Sequence, residues 1–218
     1  MKTEQTKMLS EAMSYHYRGL NVIPVNPGAK TSAINWSEYQ NRQSTSSEIM
    51  AWFSKDYNIG LVNGRCGGQS SFVIIDIDKD IGIYSKLIEE FPLLAEGAIW
   101  QSGSGGIHIP LFVNEKTANK TWHTILGSVN IRASHCYTVA PPSIHQSGEV
   151  YKVIQDKDII RFIALNPVMK WFNDFWIKDK DNVLYPAPEL VHGRKANMIF
   201  EVFNQKDLWR TGIKGAKE

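Results

Sequence analysis

The sequence predicts an α+β domain built around a mixed or antiparallel sheet. Helix and strand patterns alternate over roughly the first 90 residues, and β-hairpin patterns dominate the middle of the chain. The glycine-rich segment SGSGG (102–106) lies between two predicted strands and does not begin a helix. This position disfavours a dinucleotide-binding fold, in which such a segment follows a strand and opens a helix.

The predicted elements of the first half each have a local signal. They are a helix over 4–18, strands over 20–25, 57–64 and 71–78, and helices over 45–53 and 82–91. Gly19 ends the first helix as a C-terminal cap, and Pro92 stops the third. Thr45 and Glu48 have the spacing of a capping box, which opens the second helix.

The second half is predicted to consist of strands followed by helices. The elements are a hairpin over 98–113, two strands within 128–143 broken at 133–135, a short strand over 149–154, and helices over 158–177 and 193–210. The first of these helices is interrupted at Asn166–Pro167. We expect residues 1–160 to form a core and residues 161–218 to form a helical C-terminal extension. The sequence does not decide whether this extension belongs to the same domain as the core.

Composition narrows the class of protein. The chain has 218 residues, of which 43% are hydrophobic and 21% are charged, a balance typical of globular rather than disordered chains. No apolar run approaches the roughly 20 residues of a membrane span, and the start of the chain lacks the apolar core of a secretory signal. Two cysteines fit a reducing compartment better than a disulfide framework or a four-cysteine zinc site. We therefore expect a cytoplasmic protein without a membrane partner.

Two aspartates end the most apolar predicted strand, FVIIDID (72–78). Residues two apart in a strand share a face, so Asp76 and Asp78 point the same way, with α-carbons about 6.5–7 Å apart. Two ionised carboxylates this close repel each other unless a cation lies between them, and oxygen ligands favour Mg²⁺ or Mn²⁺. The alternative is a strand end at which both acids are simply hydrated.

Further polar groups are candidates for binding an anionic ligand. Gly105 and Gly106 lack β-carbons, so the backbone of their turn can approach a ligand closely. The side-chain candidates are His108 on the returning strand, Arg132 on the strand face of Asn130, and Ser143 and His145 beyond a rigid Pro–Pro corner. Each has a structural alternative: an ordinary hairpin histidine, an exposed arginine or a surface turn.

Taken in order, these segments resemble a known family. The chain is similar to the bifunctional primase/polymerase (prim–pol) N-terminal domain of the archaeo-eukaryotic primase superfamily, found in replication proteins of plasmids, phages and integrated elements. The segments that carry the resemblance are YHYRGLNVIPVNPGAK, Trp36, TSSEIMAWF, NIGLVNG, IIDID, SGSGGIHI, VNIR and YTVAPPSIHQSGEVY. Together they span most of residues 12–152 in the order typical of the family.

The resemblance implies a fold, an activity and partners. The fold would be the primase core, an RRM-like sheet that carries the metal site and packs against a smaller N-terminal α/β unit, with helices after residue 158. The activity would be template-directed DNA primase/polymerase synthesis from dNTPs, with NTPs left open, by two Mg²⁺ or Mn²⁺ ions about 3.5–4 Å apart. The partners would be a DNA template and primer, the nucleotide, and a downstream helicase domain or protein.

The resemblance also implies roles for individual residues. Asp76 and Asp78 match the pair of acids that binds the catalytic metals, and His108 matches a histidine that contacts the triphosphate. The residues that fall where family members contact the same triphosphate are Arg132, Ser143 and His145. The other positions expected near the nucleotide are Lys30, Gly64 and the two turn glycines, Gly105 and Gly106.

One position departs from the family pattern. Where members have a third acid, in the pattern hydrophobic–Asp–hydrophobic–Arg, this sequence has Asn130 in VNIR. An asparagine can ligate a metal through its carbonyl but adds no negative charge, so we expect the metal that activates the hydroxyl to bind poorly. Three explanations stay open: an inactivating substitution, a natural relative that binds nucleotide or nucleic acid without synthesis, or a substitute carboxylate such as Asp80. A metal-dependent phosphohydrolase is less well supported, because the sequence lacks further His/Asp clusters.

Overall fold

The computed structural model describes residues 2–66, 70–78, 81–124, 127–162, 164–178 and 184–186. Its α-helices are α1 (Lys2–Tyr17), α2 (Ser46–Trp52), α3 (Ile81–Glu90) and α4 (Asn166–Phe175). Short 3-10 helices cover Ser37–Gln40 and Pro92–Ala95. The strands are β1 (Val22–Val25), β2 (Asn58–Val62), β3 (Ser71–Ile77), β4 (Ile99–Gln101), β5 (Ile107–Val113), β6 (Lys120–Thr124), β7 (Gly127–Arg132), β8 (Tyr137–Val139), β9 (Lys152–Gln155), β10 (Ile160–Phe162), β11 (Trp176–Lys178) and β12 (Leu184–Pro186).

The strands form two sheets. The smaller sheet has the order β1–β2–β8 and is antiparallel throughout. The larger sheet has the order β11–β12–β6–β7–β3–β5–β4–β9, and β10 adds to β5 in parallel. Because β12 also runs parallel to β6, the larger sheet is mixed, although antiparallel pairs dominate it. The predicted α+β class with a mixed or antiparallel sheet is confirmed.

Strand β3 is buried on both faces and separates two hydrophobic clusters. Its odd-numbered residues from 73 to 77 pack in one cluster with residues of α3 and α4. On the other face, Phe72 and Ile74 pack against an N-terminal unit, which we define as α1, α2 and the smaller sheet. Since side chains alternate along a strand, Asp76 follows Ile74 on the face toward the N-terminal unit.

Local signals set the ends of the first two helices as predicted. Gly19 has a φ of +84° just after α1, and the N–H of Leu20 donates to the carbonyl of Tyr15 at 3.1 Å, as at a Schellman-type helix end. At the start of α2, the Thr45 hydroxyl accepts the N–H of Glu48 at 3.2 Å. The Glu48 carboxylate in turn accepts the N–H of Thr45 at 2.7 Å, which completes the predicted capping box.

The predicted helix over 158–177 is wrong in its first half. Residues Ile160–Phe162 form β10 beside β5, because their apolar–polar–apolar alternation matches the period of a strand. Helix α4 begins only at Asn166, and Pro167 lies in its first turn, where a missing N–H removes no intrahelical hydrogen bond. Pro167 therefore starts the helix and does not interrupt it.

Other parts of the prediction have different outcomes. Strand β6, which pairs with β7, was not predicted at all. The predicted helix over 193–210 lies outside the described residues. Within the ranges that the structure describes, no helix is both long and apolar enough to span a bilayer.

Candidate active site

Three neighbouring strands bring predicted site residues side by side. In the register of the larger sheet, Asp76 of β3 lies opposite His108 of β5 on one side and opposite Asn130 of β7 on the other. Residues opposite each other in an antiparallel pair share a face, so all three belong to the face toward the N-terminal unit. Arg132, two residues after Asn130, lies on the same face.

Asp76 is a buried acid whose side chain is only 7% exposed. Nε of Arg132 donates to its Oδ2 at 2.7 Å, and Nε2 of His108 lies 3.3 Å from its Oδ1. Burial raises the pKa of Asp76, but the hydrogen bond from His108 and the charges of His108 and Arg132 outweigh burial and bring the pKa from 3.8 to about 2. The carboxylate is therefore ionised at neutral pH.

A cleft of about 350 Å³ opens next to Asp76. The predicted site residues that line it are Lys30, Asp76, Asp78, His108 and Arg132. One wall is aromatic and consists of Trp36, Tyr137 and Tyr151. The cleft thus combines two carboxylates with a lysine and an arginine, which suits a ligand that carries both phosphates and a cation.

Asp78 and Asn130 form the more exposed part of the site. Nδ2 of Asn130 lies 3.5 Å from Oδ2 of Asp78, and Oδ1 of Asn130 accepts a hydrogen bond from the Thr121 hydroxyl at 2.8 Å. The amide therefore turns its N–H group toward the acid and its carbonyl toward β6. In this arrangement Asn130 turns a hydrogen-bond donor toward Asp78. Its carbonyl oxygen, the atom that could ligate a metal, faces Thr121.

The turn between β4 and β5 fits closely against the end of β3. A β-carbon added at Gly106 would lie 2.8 Å from the carbonyl oxygen of Ile77, so the close approach requires glycine. Gly105 has a φ of +88°, in the left-handed region that favours glycine. The N–H of Gly106 donates to the Ser102 hydroxyl at 3.0 Å. Both glycines therefore shape the turn that brings Ser104 to the cleft.

Two predicted positions have structural contacts outside the cleft. The Ser143 side chain is completely buried (0% exposed), and its hydroxyl accepts the N–H of Ile59 at 2.8 Å. This bond ties the Pro–Pro corner to β2 of the smaller sheet. Gly64 pairs with Phe72 in an isolated bridge at the start of β3, away from the cleft lining. Neither Ser143 nor Gly64 lines the cleft in this structure, and a role for either residue near the nucleotide stays a prediction.

His145 lies behind the glycine-rich turn. A β-carbon added at Gly103 would overlap the β-carbon of His145, so the histidine packs directly on the backbone of the turn. Its Nδ1 accepts the N–H of Ser147 at 3.2 Å. Burial lowers the pKa of His145, and the positive charge of Lys30 lowers it further. His145 therefore lies within electrostatic reach of a lysine that lines the cleft, without lining the cleft itself.

Comparison with known protein families decides the class of the domain. The Prim-Pol family model, described as bifunctional DNA primase/polymerase, N-terminal, matches residues 12–169. The chain belongs to the Prim-Pol family. The match confirms the resemblance read from the motifs and places this domain among nucleotidyltransferase-type primases and polymerases, which bind nucleotides and nucleic acid. No curated protein matches the chain.

The aromatic wall of the Prim-Pol cleft was not among the predicted site residues. Trp36 and Tyr137 meet edge to face with ring centroids 5.2 Å apart, and the Tyr137 hydroxyl donates to the carbonyl of Lys30 at 2.7 Å. Tyr151 completes the wall. All three aromatic residues lie in the segments that carry the family resemblance, and this was the signal that could have found them.

Prim-Pol domains generally use divalent metal ions, and the donor set of this cleft fits one such ion. Asp76 and Asp78 offer hard carboxylate oxygens, and Mg²⁺ typically binds one or two carboxylates together with the phosphates of a substrate. Within the described part of the chain, no group of three His, Cys, Asp or Glu side chains is placed to hold a metal. Asp80, the predicted substitute for a third acid, lies outside the described residues.

Proposed function

We propose that this Prim-Pol domain is a template-directed DNA primase/polymerase that transfers nucleotides from dNTPs, with NTPs as a second substrate class to be tested. The observation that carries the proposal is the position of Asp76 and Asp78 beside Lys30 and Arg132 in a single cleft. The carboxylates suit a divalent cation, and the two basic side chains suit the phosphates of a nucleotide. Family membership supports nucleotidyl transfer as the reaction.

Each residue then has a task in the reaction. Asp76 and Asp78 would hold Mg²⁺ or Mn²⁺, and a bound ion neutralises the triphosphate and favours ionisation of the attacking 3′-hydroxyl. Lys30, His108 and Arg132 would bind the phosphates and keep the α-phosphorus in line with that hydroxyl. The hydroxyl oxygen would bond to the α-phosphorus, pyrophosphate would leave, and the hydroxyl proton would pass to water.

A second function is favoured by the geometry of Asn130. Its N–H group faces Asp78, and its carbonyl accepts a hydrogen bond from Thr121. At the position of the third acid, Asn130 therefore offers a metal neither a negative charge nor an unoccupied oxygen. We infer that the hydroxyl-side ion of a two-metal centre would be held weakly, because that ion depends on the third acid. The second function is a domain that binds nucleotide or nucleic acid without efficient synthesis.

The partners and extent of the domain belong to the same proposal. We propose a DNA template and primer, a downstream helicase domain or protein, and a role in replicating a plasmid, phage or integrated element. We also propose that the first part of the extension over 161–218 belongs to the same domain as residues 1–160. Two facts support this: Val168 and Phe172 of α4 pack in the cluster behind β3, and the family match reaches residue 169.

Primer extension tests the proposed reaction. The unchanged chain, Asp76→Ala and Asn130→Asp are compared on a primed DNA template with dNTPs and either Mg²⁺ or Mn²⁺. We expect extension by the unchanged chain, no extension by Asp76→Ala, and faster extension by Asn130→Asp. Asp174→Ala is the matched control, because it removes an exposed carboxylate that pairs with Lys170 on α4, and it should extend the primer like the unchanged chain.

Each outcome separates the two functions. Extension by the unchanged chain that is abolished in Asp76→Ala excludes the binding-only function. Extension by Asn130→Asp alone supports a polymerase scaffold that lacks its third ligand. If neither chain extends the primer while both still bind dNTP, the polymerase proposal for this chain is wrong.

A further inference from the structure

Tyr151 lies just before β9 and completes the wall of the cleft between two histidines. Its ring centroid is 6.1 Å from that of His108 and 5.9 Å from that of His145. The residue is 3% exposed, and its backbone N–H donates to the carbonyl of Ser143 at 2.8 Å. Packing on both sides and a fixed backbone therefore hold the ring in one place at the edge of the cleft.

Among the residues that the structure describes, none forms a hydrogen bond with the Tyr151 hydroxyl, and Tyr151 is one of the residues that line the cleft. Two other tyrosines are different: the hydroxyl of Tyr39 donates to the Glu48 carboxylate at 2.9 Å, and that of Tyr137 donates to the backbone carbonyl of Lys30 at 2.7 Å. The hydroxyl of a buried tyrosine usually finds a partner. An unpaired hydroxyl on a residue that lines a ligand cleft therefore points to a partner that the ligand supplies.

Charged groups surround this hydroxyl. Burial, followed by the negative charge of Asp76, raises the pKa of Tyr151 to about 12, and the positive charge of Arg132 opposes them. The hydroxyl thus lies within electrostatic reach of both groups and keeps its proton at neutral pH. Asp76 does not use it, because its carboxylate oxygens face His108 and Arg132.

We propose that Tyr151 is a triphosphate-binding residue whose hydroxyl donates a hydrogen bond to a phosphate oxygen of the bound nucleotide. This inference rests on the proposed function and adds a residue to its site. Ionised phosphate oxygens accept hydrogen bonds, so a protonated, unpaired hydroxyl on a residue that lines the cleft complements them. The side chain also adds no charge to a cleft in which Lys30 and Arg132 already balance Asp76 and Asp78.

Binding measurements on Tyr151→Phe test the assignment, because this change removes only the hydroxyl. Calorimetric titrations with a dNTP and with inorganic tripolyphosphate, both with Mg²⁺, give the affinities. We expect both affinities to fall about 10-fold, the loss expected for one hydrogen bond to a charged group. In primer extension, KM for the dNTP should rise by the same factor, and the melting temperature of the free protein should stay within the range of the unchanged chain.

Tyr39→Phe is the matched control. It also removes one tyrosine hydroxyl, but from a contact with Glu48 in the N-terminal unit. It should lower the melting temperature and leave both affinities unchanged. If Tyr151→Phe is itself destabilised, the melting temperature of each protein is measured with and without tripolyphosphate. The rise caused by the ligand then still reports the loss of binding, because each protein is its own reference.

The outcomes distinguish this inference from the proposed function. Unchanged dNTP affinity in Tyr151→Phe overturns the inference alone. A loss of dNTP affinity without a loss of tripolyphosphate affinity also overturns it, because the hydroxyl would then contact the sugar or the base. If the unchanged chain binds both ligands but does not extend primers, the polymerase function is wrong while the role of Tyr151 in binding triphosphate stands. If the unchanged chain binds neither ligand, both are wrong.

Discussion

Arg132 donates from Nε to Oδ2 of Asp76 at 2.7 Å, so an acid proposed as a metal ligand is already paired in the folded chain. His108 lies 3.3 Å from the other carboxylate oxygen. The same arginine and histidine are the proposed ligands of the triphosphate. A bound nucleotide would draw them toward phosphate and release the carboxylate for a cation. We therefore expect metal and nucleotide to strengthen each other's binding, and the coupling has to be reciprocal.

Arg132→Gln is expected to bind Mn²⁺ more tightly than the unchanged chain when nucleotide is absent, and to bind dNTP more weakly. The substitution removes a positive charge that competes with the cation for Asp76 and also attracts phosphate. We expect a change of about 10-fold in each affinity, in opposite directions, as typical for one charge-assisted contact. Electron paramagnetic resonance of free Mn²⁺ and calorimetry with dNTP measure the two affinities.

Arg161→Gln is the control for this pair of titrations. The guanidinium of Arg161 bonds the Ser70 hydroxyl at 2.8 Å and does not line the cleft, so its loss should change neither affinity. Weaker Mn²⁺ binding in Arg132→Gln would contradict the competition between arginine and cation, because it would mean that Arg132 holds Asp76 in place for the metal.

Asp76 is also expected to make the fold sensitive to acid. Its pKa lies at about 2, below the ordinary value of 3.8, so its stabilising contribution is complete above the ordinary value and is lost as the pH falls through the folded value. The full contribution of Asp76 to the free energy of unfolding is about 2 kcal/mol, of which about 1 kcal/mol is lost by roughly pH 3. Urea unfolding measures the free energy of unfolding at about pH 6 and pH 3. Between these two pH values the unchanged chain should lose about 1 kcal/mol more of this free energy than Asp76→Asn.

A second acid titrates in the same range, and the comparison removes its contribution. The hydrogen bond from Arg42 holds the pKa of Glu48 at about 2, against the opposing effect of burial. Glu48 is present in both chains and far in sequence from Asp76, so its effect cancels in the difference. Equal losses of stability in the two chains would show that Asp76 does not keep a lowered pKa in solution.

The position of the two carboxylates could be predicted because it depends on one strand alone. The apolar run before Asp76 indicates a central strand, and alternation places Asp78 on the same side of the chain. Strand β3 is indeed central and buried on both faces. The capping box is equally local, because both of its hydrogen bonds join Thr45 and Glu48, which are three positions apart.

The contacts made by those carboxylates could not be predicted in the same way. The bond between Asp76 and Arg132 depends on the register of β3 with β7, which packing across the whole sheet determines. The bond between Ser143 and Ile59 likewise joins segments that are distant in sequence. Strand β6 escaped prediction because its sequence, KTWHT, buries only Trp122 and Thr124 and gives little apolar alternation.

Asn130→Asp is expected to make the stability of the domain depend on metal. Nδ2 of Asn130 lies 3.5 Å from a carboxylate oxygen of Asp78, so an aspartate there would place two negative charges side by side. We expect a lower melting temperature in EDTA, and a larger rise on adding Mn²⁺ than in the unchanged chain, because the cation relieves the repulsion and binds only the folded state. Thermal unfolding with and without Mn²⁺ measures both effects.

Asn114→Asp provides the matched control, because Asn114 is an exposed residue that does not line the cleft. Its melting temperature should respond to Mn²⁺ as that of the unchanged chain does. If Asn130→Asp also responds no more than the unchanged chain, then position 130 does not contribute to a metal site, and the substitution would not explain weak or absent synthesis.

Ser143→Ala is expected to lower stability and to leave nucleotide binding unchanged. Ser143 is fully buried and its hydroxyl accepts the N–H of Ile59, so the alanine variant leaves a buried donor without its partner. Such a loss destabilises a protein by about 1–3 kcal/mol. Urea unfolding measures the change in stability, and calorimetry with dNTP measures binding.

Ser37→Ala is the comparison for Ser143→Ala, since the Ser37 hydroxyl donates to Asn35 in an exposed contact and its loss should change stability little. A Ser143→Ala variant that unfolds like the unchanged chain but binds dNTP more weakly would support the triphosphate contact that the family resemblance implies. It would also mean that the corner carrying Ser143 moves toward the cleft when nucleotide binds, because without nucleotide the hydroxyl is enclosed beside β2.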